Sequence, residues 1–223
     1  MPKQIIIYSH GFGVQKDDRG LFTDIANSLP EFDHVMFDYN DFDAESNTMS
    51  VTPLDSQAEM LIDKISEINQ NHPYAKLYII AHSQGCIVTA LAQVKCFEKI
   101  VFLAPPTSLS GASSKVKEML KRVGTTRNED GSVSYPRRDG STTIVTSDYL
   151  RSREGLDPVG IYNSIAGNNS VHIINATEDE VLVDTDFSNL SKEIKVIELK
   201  SNHDFKDDAR EEVIKVIQSI LCN

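Results

Sequence analysis

Hydrophobic positions in the first hundred residues alternate between two periods. Residues 4–8 (Gln-Ile-Ile-Ile-Tyr) form a short, nearly continuous apolar run, as a strand buried on both faces requires. Leu21, Phe22, Ile25, Ala26 and Leu29 then recur at helical spacing. Residues 34–39 repeat the strand pattern, and Leu54, Ala58, Leu61, Ile62, Ile65 and Ile68 mark the inward stripe of a longer helix. Thr52-Pro53 predicts the start of that helix, a capping hydroxyl followed by a proline whose missing N–H would be unpaired anyway. Residues 76–80 predict a third strand, a helix follows to about residue 94, and residues 99–104 predict a fourth strand.

Between residues 105 and 169 this rhythm stops. The segment is rich in Ser, Gly, Thr and Arg, with a helix expected at 115–123, a hairpin near 128–133 and a second helix at 147–153. Strands at 171–175 and 194–199 resume the pattern. Ala209, Val213, Ile214, Val216, Ile217, Ile220 and Leu221 then predict a closing amphipathic helix. Strands alternating with helices imply an α/β fold, a mostly parallel sheet of about six strands with helices on both faces and right-handed crossovers. The expectation is one domain over residues 1–223. Residues 105–169 form a small cap inserted at a strand's carboxyl end, where such sheets bind ligands.

Charge and composition narrow the partners. A formal net charge of −11 argues against nucleic acid or an anionic membrane as the main partner. Cys86, Cys96 and Cys222 are odd in number and lack metal-ligand spacing, so packing in a reducing compartment is expected. With no secretory h-region and no run of spanning length, a cytoplasmic location is expected. No cofactor or metal is expected. Gly111-Ala112-Ser113-Ser114-Lys115 lacks the spacing and the preceding strand of a phosphate loop, and there is no dinucleotide fingerprint.

The chemistry gathers at strand ends. Ala81-His82-Ser83-Gln84-Gly85 places a serine between two small residues where a buried strand turns into a helix. Such a turn strains the serine backbone, tolerates only small flanking residues and holds Oγ out above the sheet. His10-Gly11-Phe12-Gly13 follows the first strand, Glu178-Asp179-Glu180 the fifth and Asn202-His203-Asp204 the sixth. Among six histidines, His203 alone follows a late strand and precedes the final helix. His172 lies within a strand, His34 and His72 precede strands, and the His82 side chain is expected to point away from the base position. Asp179 competes with Glu178, Glu180 and Asp184 as the acid.

The order nucleophile, acid, histidine resembles that of the α/β-hydrolase family, over nearly the whole chain. The resemblance implies a Ser83-His203-Asp179 triad, because the run from Asp179 to Val183 is similar to the family's Asp-x-x-Val turn. It also implies oxyanion donors at the Phe12 and Gln84 backbone N–H groups, with His10 shaping that loop through hydrogen bonds. Asp184 is then left to cap a short helix at 185–190. His-Ser-Gln-Gly together with His-Gly-Phe is similar to the cinnamoyl or feruloyl esterase branch. Two departures stand out: Ala81 where glycine is commoner, and a chain that starts at the oxyanion strand, reducing the sheet. The implied activity is a serine hydrolase cleaving a carboxylic ester, with a small-molecule ester or related acyl compound as substrate. Thioester, amide and peptide substrates make the same demands, and a ligand-binding protein of this fold is the alternative in a different class. The 105–169 segment carries nine Lys and Arg against seven Asp and Glu. Arg137, Arg138, Arg151 and Arg153 there would suit a substrate bearing a carboxylate or phosphate, or merely a solvated loop face.

Overall fold

The structure is a computed structural model that describes residues 2–109, 121, 123–137, 140–182 and 185–222. Six strands form the main sheet: β1 (Gln4–Ser9), β2 (Asp33–Val35), β5 (Lys76–His82), β6 (Lys99–Leu103), β10 (Val171–Ala176) and β11 (Lys195–Leu199). Their order is β11-β10-β6-β5-β1-β2, and every pairing is parallel. The apolar runs have the cause expected of a sheet covered twice. Ile5, Ile7 and Ile79 face one core cluster while Ile6, Tyr8 and Ile80 face the other. Helices α2 (Leu54–Asn71), α3 (Gln84–Leu91) and α5 (Pro158–Ala166) cover the first face, and α1 (Leu21–Asn27) and α6 (Asp208–Leu221) the second.

A second sheet has the order β3-β4-β9-β8-β7. Strands β7 (Thr126–Arg127), β8 (Val133–Pro136) and β9 (Thr142–Val145) come from the 105–169 segment, and β3 (Asp41–Asp43) and β4 (Thr48–Val51) from the first half. The join is a parallel pairing of β4 with β9. The expected hairpin is present as β7 and β8 around a turn closed by Gly131 N–H to Asn128 O. The expected helix at 147–153 is α4 (Ser147–Ser152). The helix expected at 115–123 lies almost wholly outside the described residues, as do Arg138, Val183 and Asp184.

Four local expectations need correction. Residues 36–39 are outside the sheet, since β2 ends at Val35, and Tyr39 N–H donates instead to His10 Nε2 at 3.0 Å. The α2 start is capped from a distance, Leu54 N–H donating to Ser152 Oγ at 3.0 Å, with Pro53 at the cap and no bond from the Thr52 hydroxyl. Ile62 is 43% exposed and so is not part of the inward stripe. Residues 185–190 are not helical. Ser188 N–H donates to Asp186 Oδ1 and Asp186 N–H to Thr107 Oγ1, which ties a turn back to the segment after β6. No helix among the described residues is long and apolar enough to cross a membrane.

The sheet's centre and edge should respond differently to truncation. Ile79, fully buried on β5, should cost about 2–5 kcal/mol when cut to alanine. Val196 on edge strand β11 is 41% exposed, and its alanine variant should stay within about 0.5 kcal/mol of the parent. Urea denaturation of the two variants measures both.

Candidate active site

Strand β5 runs into α3 through one residue, Ser83, with φ 52° and ψ −120°. A non-glycine residue at positive φ carries strain of about 1–3 kcal/mol. The surroundings enforce it. Ser83 N–H donates to Leu103 O at 2.9 Å, and a Cβ on Gly85 would lie 1.9 Å from the Ser9 carbonyl oxygen. The first turn of α3 is thus pressed against the end of β1, and only glycine fits there. Ser9 Oγ donates to Gly85 O at 2.9 Å and meets Tyr39 Oη at 2.9 Å, fixing the contact from the other side.

The strand ends bring the three side chains together. His203 Nε2 lies 3.0 Å from Ser83 Oγ, and His203 Nδ1 lies 2.6 Å from Asp179 Oδ2. The other Asp179 oxygen accepts the Val181 and Leu182 N–H groups at 2.7 Å each, so the carboxylate is aimed by its own turn. Glu180 accepts the His203 backbone N–H at 3.2 Å. Glu178 is an exposed partner of Lys200, which removes it as the acid. A carboxylate at Nδ1 fixes the ring proton there and leaves Nε2 as an acceptor facing the hydroxyl.

The loop after β1 lies on the serine. A Cβ on Gly11 would stand 3.4 Å from Ser83 Cβ. His10 accepts Tyr39 N–H at Nε2 and donates from Nδ1 to Gly11 O at 3.0 Å, so it is neutral. Burial lowers its pKa further, against an opposing effect of the Gly11 bond. Gln84 N–H is the first amide of α3 and has no intrahelical acceptor. The Gln84 side chain is held from both ends, donating to Gln57 Oε1 at 3.1 Å and accepting from the Tyr149 hydroxyl. Tyr149 also packs on Phe12 with ring centres 5.4 Å apart, so one residue of α4 touches both Phe12 and Gln84. Burial holds its phenol protonated. Cys86 is fully buried, and burial pushes its thiol pKa well up, as a packing residue requires.

The His82 expectation fails. Its ring lies beside that of His203, with centres 5.0 Å apart, instead of pointing away from it. His82 Nε2 donates to the His203 carbonyl at 3.0 Å, and Nδ1 meets Asp18 Oδ2 at 2.8 Å. The same Asp18 oxygen accepts the Gly11 N–H at 2.9 Å. His82, His203 and Asp204 bring possible metal-ligand atoms within 4.8 Å of one another. Each of the four ring nitrogens already has a protein partner, so the cluster does not suit a cation.

The arginines diverge. Arg137 donates to Gly13 O and to Thr143 Oγ1, bracing the loop after β1 against the second sheet. Arg151 pairs with Asp148 in the open. Arg153 lies over the Tyr149 ring, 5.7 Å from its centre, and lines an open cavity of about 440 Å³ with Leu109, Leu150, Glu154 and Leu156.

No family model matches the chain, and no curated protein matches it. Solved structures do. It is similar to Est1E from Butyrivibrio proteoclasticus with ferulic acid bound, at 14% identity and TM-score 0.71, over 99% of this chain and 89% of that one. The chain has the α/β-hydrolase fold. An esterase of Pyrococcus furiosus is similar at 13% identity and TM-score 0.67, over 99% of this chain and 81% of that one. A peroxisomal alpha-beta-hydrolase, Lpx1 from Saccharomyces cerevisiae, is similar at 14% and 0.60, over 99% and 77%. Within this α/β-hydrolase fold, Ser83 occupies the strand-to-helix turn at the carboxyl edge of the sheet, and Asp179 and His203 follow β10 and β11.

Replacing Gly85 with alanine drives a methyl group into the Ser9 carbonyl, so the variant should lose about 4 kcal/mol or more of stability and yield little folded protein. Thermal unfolding followed by circular dichroism measures the loss.

Proposed function

We propose that this chain is a serine hydrolase that cleaves a carboxylic ester of modest size through an acyl-enzyme. The observation that carries the reading is the relay from Asp179 through His203 to Ser83, with contacts of 2.6 Å and 3.0 Å. A serine hydroxyl is a weak nucleophile until a base takes its proton during attack. His203 Nε2 stands in line to do so, and Asp179 holds the tautomer and offsets the imidazolium that forms. Ser83 Oγ attacks the ester carbonyl, and the Phe12 and Gln84 amides receive the developing oxyanion, where each donor is worth about 3–4 kcal/mol. His203 then gives its proton to the departing alcohol. Water, activated in the same way, adds to the acyl-enzyme and frees the acid and Ser83.

The ferulic acid named with one similar structure supports a small ester as substrate. The Tyr149 contacts to Phe12 and Gln84 support residues 105–169 as the segment that shapes the pocket. Amide and thioester cleavage would use the same groups, so the scissile bond is set by the alcohol or amine side of the pocket.

A fluorophosphonate probe should label the wild type at one site and leave Ser83→Ala unlabelled. Asp179→Asn should fold and lower kcat by about 10³–10⁴, because the amide allows the wrong tautomer. Labelling that survives Ser83→Ala would remove Ser83 as nucleophile. A folded wild type that resists the probe would favour a ligand-binding protein.

A further inference from the structure

We infer that Asp18 and His82 form a buried ion pair that positions the reacting groups, joining the loop under Phe12, the residue before Ser83 and the backbone of His203. The charge state follows from bonding. The His203 carbonyl can only accept, so His82 Nε2 carries a proton. Asp18 Oδ2 accepts the Gly11 N–H at 2.9 Å, as a carboxylate does, so His82 Nδ1 carries a second proton into its 2.8 Å contact. Both side chains are 2% exposed. A buried imidazolium and carboxylate are each costly alone and tolerable only together.

Other charges surround the pair without replacing it. Asp17 and Arg19 lie on the loop of Asp18, His10 follows β1 with Asp38 beyond it, and Cys86 lies on α3. From the β11–α6 loop come His203 and Asp204, the latter occupied by Arg19 and Lys206 at 2.9 Å each. Burial raises the Asp18 pKa, but His82 and the Gly11 bond outweigh it and hold it down to about 2. Burial likewise disfavours the charged His82, and Asp18 outweighs it, so the net pKa is raised.

The pair's position gives it a task that packing alone would not. Asp18 fixes Gly11, whose neighbour Phe12 carries one oxyanion amide, and His82 fixes the carbonyl of the base itself. Small errors at those two points reduce transition-state contacts more than substrate binding. The positioning role rests on the serine-hydrolase reading. The ion pair does not.

Ring ¹H–¹⁵N spectra of the wild type test the charge. His82 should show two ring N–H protons and lose one only above the pH at which an ordinary histidine titrates. A single ring N–H, or titration near the ordinary value, overturns the ion pair. His82→Met and Asp18→Asn/His82→Met test the role. The single variant strands a buried carboxylate and should melt early. The double variant removes that charge and should regain Tm, while kcat on p-nitrophenyl acetate stays about 10–100-fold low with KM within about twofold. Recovery of kcat together with Tm would mean the pair is merely structural. Absence of Ser83-dependent turnover in the wild type would overturn the hydrolase reading and the positioning role with it, leaving the spectra to decide the pair.

Discussion

The contact between the first turn of α3 and the end of β1 sets the geometry on which everything else depends. Gly85 sits where any Cβ would come within 1.9 Å of the Ser9 carbonyl oxygen. That closeness brings the α3 amino end against the loop carrying Gly11 and Phe12, and it forces the chain through the positive φ of Ser83. The strain is affordable because β5 lies at the centre of the sheet, between β1 and β6, in a core fully buried on both faces. Stability stored in the sheet is thus spent at one turn, which sets the Ser83 hydroxyl and the first amide of α3 in consecutive residues.

Two carboxylate–histidine pairs then sit side by side with different chemistry. In Asp179–His203 one ring nitrogen is committed to the carboxylate and the other faces a hydroxyl, so a proton can move. In Asp18–His82 both nitrogens face pure acceptors, so no proton has anywhere to go. In the proposed hydrolase, identical side chains would serve as a base in one case and a fixed strut in the other, and the partner of the second nitrogen makes the difference. The 105–169 segment adds a further restraint, since Tyr149 and Arg137 reach down to Gln84, Phe12 and Gly13.

Most of this was legible in the sequence where one physical cause dominated. Continuous apolar runs marked β1, β5, β6 and β10, because a strand covered on both faces has no polar side to display. The positions of Ser83 and His203 followed from their places after strands, since strand ends converge in a parallel sheet, whereas Asp179 stood out from Glu178, Glu180 and Asp184 only through the resemblance of its turn to the family's. Features that depend on distant partners were not legible. Strands β3 and β4 were not anticipated, because β3 is wholly exposed and β4 is held by pairing with β9. Helix α5 fell inside a stretch whose Gly and Pro content obscured its period. The contacts of Asp18 were hidden among the acidic residues of its loop, seven residues from Gly11 and sixty-four from His82. A signal was present in Ala81-His82-Ser83: a polar residue ending a fully buried strand requires a buried partner.

In the proposed hydrolase, Ser83 would carry the acyl group during turnover. Rapid mixing of the protein with a p-nitrophenyl ester, acid quenching within one turnover and peptide mass spectrometry would test it most directly. The mass of one acyl group should appear on the peptide containing Ser83, formed at the rate of the nitrophenol burst. Turnover of the ester with Ser83 unmodified throughout, or with the acyl group on another residue, would contradict it.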